Sequence, residues 1–281
     1  MTIYDVVSKV KHITIDDAKK FVNDKFGLGK TNKGFYIINT LYDDVYDLIN
    51  LHRKESADKV YYDDVILNYF EDIYYTGWLE EGISSDVMKR FEIKWYEYRK
   101  HIIIPVRDLD GRLLGIRRRS LVDGEAKYKP LDCEGKSWAF PTGECLYGLY
   151  QNQNIISDRK KCYLFEGEKS VLKAATIYGD FPCVACFSHS VSRQQINLLI
   201  DLGVEEVILC FDYDGVGERK IYRLLAEKIK TYGIRCKYLY YGYKTSLDAH
   251  ESPIDKGKKV FEELLQENLK AGVLKCLSEM I

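Results

Sequence analysis

The second half of the chain alternates short apolar runs with amphipathic stretches, and this alternation restricts the possible folds more than any other feature. From Lys160 onward it predicts four strands separated by three helices, in the order strand KCYLFEG, helix EKSVLKAATIYG, strand CVACF, helix SRQQINLLIDLG, strand EEVILCFDYDG, helix ERKIYRLLAEKIKTYG and strand RCKYLYYG. Strands that alternate with helices of this length pair in parallel through right-handed crossovers. The pattern therefore predicts a mainly parallel α/β sheet.

The sequence before this alternation predicts a different architecture. Residues 2–95 have helical apolar spacing, as in DDVYDLINLHRK and SSDVMKRFEI, and Ser84 or Ser85 is suited to cap the latter helix. The run HIIIPVRDLDGRLLGIRRRSL predicts two strands joined at Asp110-Gly111, because glycine tolerates the positive φ of a hairpin turn. The expected fold class is α/β, with a helical region over 1–95, a mixed α+β subdomain over 96–157, a mainly parallel α/β domain over 158–255 and a helical segment over 256–281.

Composition limits the possible functions without choosing among them. The 281 residues include 42 basic and 43 acidic side chains, so net charge does not identify a nucleic-acid-binding protein, and any basic face must be local. No apolar run reaches the roughly 18–20 residues of a membrane span, and the N-terminus lacks the apolar core of a signal peptide. We expect a cytoplasmic protein that does not bind membranes.

The eight cysteines are expected to be reduced thiols in apolar strands. Cys183 and Cys186 form one C-x-x-C, but a structural zinc site needs four ligands and no second pair stands at a suitable spacing. A buried strand, FPCVACF, is the better interpretation. We therefore expect no zinc in this chain.

Acidic residues stand where the predicted parallel strands end. Glu166 closes the first strand in FEGEKS, Asp212 and Asp214 close the third in CFDYDG, and Asp248 follows the fourth in YGYKTSLDAHE. Ligands of parallel sheets bind beyond the carboxyl ends of the strands, and positions i and i+2 of an extended chain face the same way. We expect these carboxylates to converge. Such a cluster repels itself unless cations neutralise it, and hard oxygen ligands suit Mg²⁺ or Mn²⁺.

A simpler interpretation exists for part of this cluster. A D-x-D-G sequence at a strand end is often only a turn with a helix-capping aspartate, although four acids at successive strand ends favour a metal site. Glu168 and Glu218 are expected to face solvent on the following helices, with Glu168 near enough to be an auxiliary ligand. His189 is assigned no role, because a lone histidine after a strand is more often capped or exposed.

The motifs in this order resemble a known family. An E-G at one strand end followed by D-x-D-G at a later one resembles the Toprim domain of primases, topoisomerases, recombination-mediator proteins and some nucleases. HIIIPVRDLDGRLLGIRRRSL is similar to the segment of bacterial (DnaG-type) DNA primases that reads approximately R-I-x-F-P-I-x-D-x-x-G-R-V-x-G-F-G-G-R-x-L. KYKP, FPTGECLYGL and VACFSHSVSRQQINLL resemble that family's K-Y-L-N-S-P, F-x-K-G-x-x-L-Y-G-L and V-A-x-x-G-T-x-x-T-x-x-Q. The resemblance covers roughly residues 70–250 and indicates a primase catalytic core.

Several positions depart from the family pattern. The family's E-G-Y-M-D reads Glu166-Gly167-Glu168-Lys169-Ser170, so that a serine replaces its second acid. The E-G-E at the start of this motif resembles a phage primase-helicase variant. The later K-D-P-D-E reads KTSLD and keeps one carboxylate, Asp248. Thr142 replaces the lysine of F-x-K-G, and Ser188-His189 replaces G-T. These departures are typical of phage or plasmid sequences.

The resemblance implies specific roles for residues of this chain. Glu166, Asp212, Asp214 and Asp248 would hold two or more Mg²⁺ or Mn²⁺ ions that orient a ribonucleoside triphosphate for nucleotidyl transfer. Arg119 and Lys127 would lie on a basic ridge that guides the single-stranded DNA template. Independently of the resemblance, strand alternation places Arg117 and Arg119 on one face and Arg118 on the other. Two arginines on one face can neutralise the phosphates of a nucleic acid. The predicted template- and nucleotide-binding residues are Arg117, Arg119, Lys127, Tyr128 and Lys169.

The expected function is a DNA primase that synthesises short RNA primers on single-stranded DNA. The expected partners are the template, ribonucleoside triphosphates, a replicative helicase and a zinc-binding module supplied in trans or by a longer protein. A Toprim metallo-nuclease is one alternative, although nucleases do not need a primase-like segment such as residues 101–149. The other is a degenerate Toprim module that only binds nucleic acid, which Ser170 and Ser246 leave open.

Overall fold

A computed structural model describes residues 3–26, 59–213, 219–239, 241 and 247–270. The chain divides into two compact units, 1–59 and 60–281. In the first unit, helix α1 spans Ile3–Lys11 and helix α2 spans Ile15–Phe26. Thr14 starts α2, because its Oγ1 accepts a hydrogen bond from the Asp17 amide at 3.2 Å. The helix predicted from DDVYDLINLHRK lies outside the described residues.

The second unit opens with short helical segments. A 3₁₀ helix spans Asp64–Tyr69, and helices α3 and α4 span Thr76–Glu80 and Ser85–Arg90. The predicted cap of α4 is confirmed at Ser84, whose side chain accepts a hydrogen bond from the Val87 amide at 3.3 Å. This cap places Val87 and Met88 of α4 in the core.

Four strands form an antiparallel sheet in the order β1-β2-β3-β4: β1 Lys94–Tyr96, β2 His101–Arg107, β3 Leu113–Ser120 and β4 Tyr128–Pro130. The hairpin predicted at Asp110-Gly111 is confirmed, with Gly111 at φ +83°. The Asp108 carboxylate fixes this turn by accepting hydrogen bonds from the Asp110 and Arg112 amides, each at 2.9 Å. Local chain chemistry therefore sets the register of β2 against β3.

Both faces of the antiparallel sheet are covered. Ile102 and Ile104 of β2 belong to the main core, whereas Ile103 between them packs into a smaller cluster with Trp138. Strand partners share a face, so the pairings Ile102↔Arg119 and Ile104↔Arg117 place both arginines on the side of the main core. The sheet thus carries two cations on the face that packs toward the rest of the unit.

Smaller elements connect this sheet to the parallel one. Strands β5 Asp132–Cys133 and β6 Lys136–Ser137 form a two-stranded ribbon, and 3₁₀ helices span Glu97–Arg99 and Thr142–Glu144. Helix α5 spans Leu149–Arg159.

The predicted mainly parallel sheet is confirmed, with strand order β10-β9-β7-β8. Its strands are β7 Lys161–Phe165, β8 Cys183–Ala185, β9 Glu206–Leu209 and β10 Arg235–Tyr238, and its helices are α6 Glu168–Tyr178, α7 Arg193–Asp201 and α8 Arg219–Lys230. The chain moves outward from β7 to β8 and then returns to the other side of β7 for β9. The crevice between β7 and β9 is therefore the topological switch point, where α/β sheets bind ligands.

Gln195 on α7 joins the parallel sheet to the preceding segment. Its Nε2 donates to the carbonyls of Thr142 at 2.9 Å, Cys145 at 3.0 Å and Cys186 at 3.2 Å. Its Oε1 accepts from the Ser192 amide at 3.0 Å and completes a capping box with that residue. This buried amide satisfies backbone groups that would otherwise lack partners.

Helix α9, Lys258–Lys270, follows the loop at 247–257. Across the described residues, no helix combines the length and the apolar character needed to cross a membrane.

Gly115 on β3 tests how tightly the antiparallel sheet is packed. A Cβ at this position would lie 2.7 Å from the Trp138 carbonyl oxygen, which already accepts a hydrogen bond from the Ile116 amide. We expect Gly115→Ala to lower the free energy of unfolding by about 1–3 kcal/mol, the usual cost of overpacking. Gly143→Ala is the matched control, because its nearest neighbour would be 3.8 Å away, and should change stability by less than about 0.5 kcal/mol. Equal denaturation midpoints for the two variants would contradict this packing.

Candidate functional site

Glu166 and Asp212 lie side by side at the switch point. Glu166 follows the last residue of β7, and the Asp212 amide donates a hydrogen bond to Glu166 Oε1 at 3.0 Å. Tyr222 of α8 holds this part of the chain by donating its hydroxyl proton to the Asp212 carbonyl at 2.7 Å. The structure therefore brings together two of the four acids predicted to converge. Asp214 lies outside the described residues.

His189, to which the sequence analysis assigned no role, is a neighbour of Glu166. Its Nδ1 lies 2.8 Å from Glu166 Oε2, while its side chain remains 65% exposed. It occupies the loop after β8, the strand that pairs with β7 on the side opposite β9. The signal that could have found it is the same one that found the acids, because His189 also follows the carboxyl end of a parallel strand.

The segment that contains Asp248 approaches the end of β9. Tyr213 forms an isolated antiparallel bridge with Glu251, and its amide donates to the Glu251 carbonyl at 2.8 Å. The Asp248 carboxylate itself is 81% exposed and pairs with Lys256 Nζ at 3.0 Å. The structure thus brings the backbone of this segment next to the residue after Asp212, while Lys256 neutralises the Asp248 side chain.

The donor chemistry of this rim suits a hard divalent cation. Glu166 and Asp212 offer carboxylate oxygens from adjacent residues at the mouth of the crevice, which fits two of the ligands of Mg²⁺ or Mn²⁺. Among the residues that the structure describes, no group of three His, Cys, Asp or Glu side chains is arranged to hold a metal ion. A metal ion at this rim would need further ligands beside these two carboxylates, from water, substrate or other residues.

Glu168 does not face solvent, and that expectation was wrong. It is the first residue of α6, is only 1% exposed, and its Oε1 lies 2.9 Å from Arg117 Nη1. Burial raises the pKa of its carboxyl, and the Arg117 charge opposes that rise. Helical periodicity could not predict this, since the partner is on a strand 51 residues earlier.

Ser170 stands where the family has its second acid. Its hydroxyl donates to Ser252 Oγ at 2.9 Å, and both serines are buried. This position therefore ties α6 to the loop before α9. It has no charge to offer a cation.

The antiparallel sheet presents a basic and aromatic face. Arg119 Nη1 donates to the Tyr128 hydroxyl at 2.7 Å, and the Arg117 guanidinium lies 4.9 Å from the centroid of the same ring. Burial raises the pKa of Tyr128 to about 12, so it remains a neutral phenol. Arg118 points away and contacts Glu125 at 3.2 Å. The predicted sharing of one face by Arg117 and Arg119 is confirmed.

Two lysines extend this basic face. Lys169 Nζ pairs with Glu81 Oε2 at 2.6 Å and lies 3.6 Å from Asp255 Oδ1. Lys127 is exposed, yet desolvation by the surrounding protein and then the charges of Arg119 and Lys169 lower its pKa. The three cations are therefore close enough to repel one another. Such a concentration of positive charge favours an anion.

The C-x-x-C at Cys183 and Cys186 lies in the interior. Both thiols are buried, and burial raises the pKa of Cys183 and that of Cys186, the latter to about 12. A cysteine that binds zinc must do so as a thiolate, which this environment disfavours.

We expect metal analysis of protein purified without chelator to find well under one zinc per chain. Stoichiometric zinc that is lost in Cys183→Ser would contradict this interpretation.

Comparisons with known proteins agree with this geometry. A family model described as Toprim-like matches residues 163–252. The SPbeta prophage-derived uncharacterized protein YorJ of Bacillus subtilis strain 168 is 35% identical over 283 residues, covering 92% of this chain and 74% of that protein. The DNA primase of Deinococcus radiodurans is 29% identical over 139 residues, covering 50% of this chain and 24% of that protein. The match thus spans about a quarter of that primase.

Solved structures show the same fold. The structure described as the DnaG primase catalytic domain bound to ssDNA superposes with a TM-score of 0.57 at 21% identity, covering 75% of this chain and 80% of that chain. The Aquifex aeolicus primase, solved with its zinc-binding and RNA polymerase domains, gives a TM-score of 0.59 at 18% identity, covering 95% and 70%. The chain belongs to the same family as the prophage protein YorJ, it contains a Toprim-like domain, and its fold is that of a DnaG primase catalytic core.

Proposed function

We propose that this chain synthesises short RNA primers on single-stranded DNA by metal-dependent nucleotidyl transfer. One observation carries the proposal: the basic face of the antiparallel sheet abuts the acidic strand ends, since Arg117 on β3 reaches Glu168, two residues after Glu166. A polymerase needs this combination, with cations for the phosphates of the template and carboxylates for the divalent ions of the nucleotide. The relation to primases and to a primase domain bound to single-stranded DNA supports it.

Each side of the proposed site would have a distinct task. Glu166 and Asp212 would hold Mg²⁺ or Mn²⁺, together with Asp214 and with Asp248, which would exchange its contact with Lys256 for the ion. When bound, such ions supply charge stabilisation for in-line displacement at the nucleotide α-phosphorus. The protein's own contribution is to hold the Glu166 carboxylate through the Asp212 amide, and the Asp212 backbone through the Tyr222 hydroxyl, before substrate arrives.

Template binding would fall to Arg119 and Lys127. Among the described residues, Arg119 forms no salt bridge with a carboxylate; its Nη1 donates to the Tyr128 hydroxyl, and its guanidinium lies over the Trp78 and Tyr128 rings. Its charge is therefore available to a phosphate, as is that of the exposed Lys127. Lys169, which is held by Glu81, would contact a nucleotide only by exchanging that partner. We assign it a supporting role beside the other two cations.

The metal-site assignment predicts a loss of activity without a loss of structure. Glu166→Gln and Asp212→Asn should each reduce ribonucleotide incorporation by at least about 100-fold, while melting temperatures stay close to wild type because each change replaces a carboxylate by an amide of the same shape at the rim of the sheet. Incorporation of labelled nucleotides on single-stranded templates with Mg²⁺ or Mn²⁺ measures this. Asp201→Asn, on the exposed end of α7, is the control and should remain active. Near wild-type synthesis by either site variant would refute the assignment.

The template assignment makes a separate prediction about binding. Arg119→Ala and Lys127→Ala should weaken binding to single-stranded DNA by a similar factor on all sequences and reduce the slope of log K against log salt by about 0.7 each. Fluorescence anisotropy at several salt concentrations gives the slope. Arg118→Ala is the matched control, because it lies on the same strand and faces the other way. Slopes that change in the control but in neither test variant would move the template elsewhere.

A metallo-nuclease or a binding-only module would give other outcomes in the same assays. A nuclease would degrade the template in Mg²⁺ or Mn²⁺, and a degenerate module would bind DNA without incorporating nucleotides. Ser170 does not favour the degenerate module, because its buried contact with Ser252 gives it a structural role. The primer-synthesis proposal therefore depends on Glu166 and Asp212 and does not need an acid at position 170.

A further inference from the structure

The ion pair between Arg117 and Glu168 is buried and joins the two sheets. Arg117 Nη1 lies 2.9 Å from Glu168 Oε1, and the two side chains are 18% and 1% exposed. Within the described residues, Glu168 Oε2 has no hydrogen-bond partner. A carboxylate this deeply buried is strongly unfavourable without a nearby cation, so Arg117 supplies the main compensation.

Arg117 is held in place from its own side as well. Its guanidinium lies 4.9 Å from the centroid of the Tyr128 ring and 5.4 Å from that of Phe187. Two aromatic faces and one carboxylate therefore surround it. A phosphate contact would require Arg117 to give up its hydrogen bond to Glu168, which would leave a buried carboxylate without its ion-pair partner.

The location of Glu168 links this pair to the acidic rim. Glu168 is the first residue of α6, and Gly167 before it caps the helix with no side-chain hydrogen bond. A Cβ at position 167 would meet no atom within 4 Å, so the turn is not packed from outside. Its path is therefore set by its two ends, the paired strand β7 and the anchored Glu168. Glu166 lies between them.

The same two positions also depart from the family pattern. When HIIIPVRDLDGRLLGIRRRSL is read against the primase segment, Arg117 occupies the first glycine of F-G-G-R, and Glu168 occupies the tyrosine of E-G-Y-M-D. Two unrelated departures from the family pattern would not be expected to lie at contacting positions, yet these two side chains are in direct contact. The two departures are complementary. Arg117 and Glu168 pair a cation with an anion at positions where the family pattern has a glycine and a tyrosine.

We propose that Arg117 is a positioning residue that anchors Glu168 and, through the turn, sets the orientation of Glu166 for divalent-cation binding. It is not a ligand of template phosphates, and Arg119 and Lys127 carry that task. The inference rests on the proposed function only for the catalytic meaning of Glu166. The pair itself is tested by binding measurements that need no primer synthesis.

The central experiment measures the Mn²⁺ affinity of Arg117→Gln in a titration that is monitored by electron paramagnetic resonance. Removing a positive charge near an acidic site would tighten cation binding if only long-range electrostatics mattered. Loss of positioning has the opposite sign. We expect Mn²⁺ affinity to fall about 10-fold, the low end of the effect of removing an outer-shell partner of a metal ligand, because Arg117 reaches Glu166 only through Glu168 and the turn. Arg117→Lys should restore most of the affinity, and Arg118→Gln is the control. Unchanged or tighter Mn²⁺ binding in Arg117→Gln would overturn the proposal.

A second readout separates positioning from phosphate contact. The salt dependence of single-stranded DNA binding should be the same in Arg117→Gln and wild type, whereas a lost phosphate contact would lower the slope by about 0.7. A lower slope with unchanged Mn²⁺ affinity would make Arg117 a template ligand and overturn the proposal.

The double variant Arg117→Gly/Glu168→Tyr keeps the test valid if Arg117→Gln does not fold. It replaces the pair by the residues of the family pattern, and we expect it to melt cooperatively and bind Mn²⁺ within about 3-fold of wild type, since no buried charge is left unpaired. A folded double variant with Mn²⁺ affinity reduced as much as in a single variant would overturn the coupling. Absence of primer synthesis by the wild-type chain would refute the proposed function and leave these binding results unaffected.

Discussion

The hydrogen bond from the Asp212 amide to the Glu166 carboxylate joins the ends of β7 and β9, and the rest of the site is arranged around it. The connections that leave these adjacent strands run in opposite directions across the sheet, and the crevice between the strand ends is where α/β sheets bind ligands. The Glu166 carboxylate is buried there, and a backbone N–H and the neighbouring His189 contact its two oxygens. A cation at this point would find oxygen ligands whose orientation is already fixed.

The antiparallel sheet supplies what the parallel sheet lacks. Its face toward the main core carries Arg117 and Arg119, and the two arginines have different surroundings although they are only two residues apart. Arg117 is engaged with a buried carboxylate, whereas Arg119 contacts a phenol hydroxyl and aromatic rings. One cation is therefore committed to the fold and the other is available to a ligand. This division follows from where each strand position meets α6, and charge alone does not reveal it.

The features that the sequence predicted correctly are those set by neighbours along the chain. The hairpin at Asp110-Gly111, the Ser84 cap and the alternation of strands and helices depend on short-range chemistry, and they place Glu166 and Asp212 at the same rim. The features it missed depend on distant residues. Glu168 was expected in solvent because a helix N-terminus usually is exposed, but Arg117 from another sheet covers it. His189 gained a neighbour only when β8 paired with β7.

The most direct test of primer synthesis is what the wild-type chain makes from ribonucleoside triphosphates. The chain is incubated with labelled nucleotides, a single-stranded DNA template and Mg²⁺ or Mn²⁺, and the products are sized on a denaturing gel. We expect short RNA products that require both the template and the divalent ion. Template degradation, or the absence of any RNA product from chain that binds both single-stranded DNA and Mn²⁺, would contradict it.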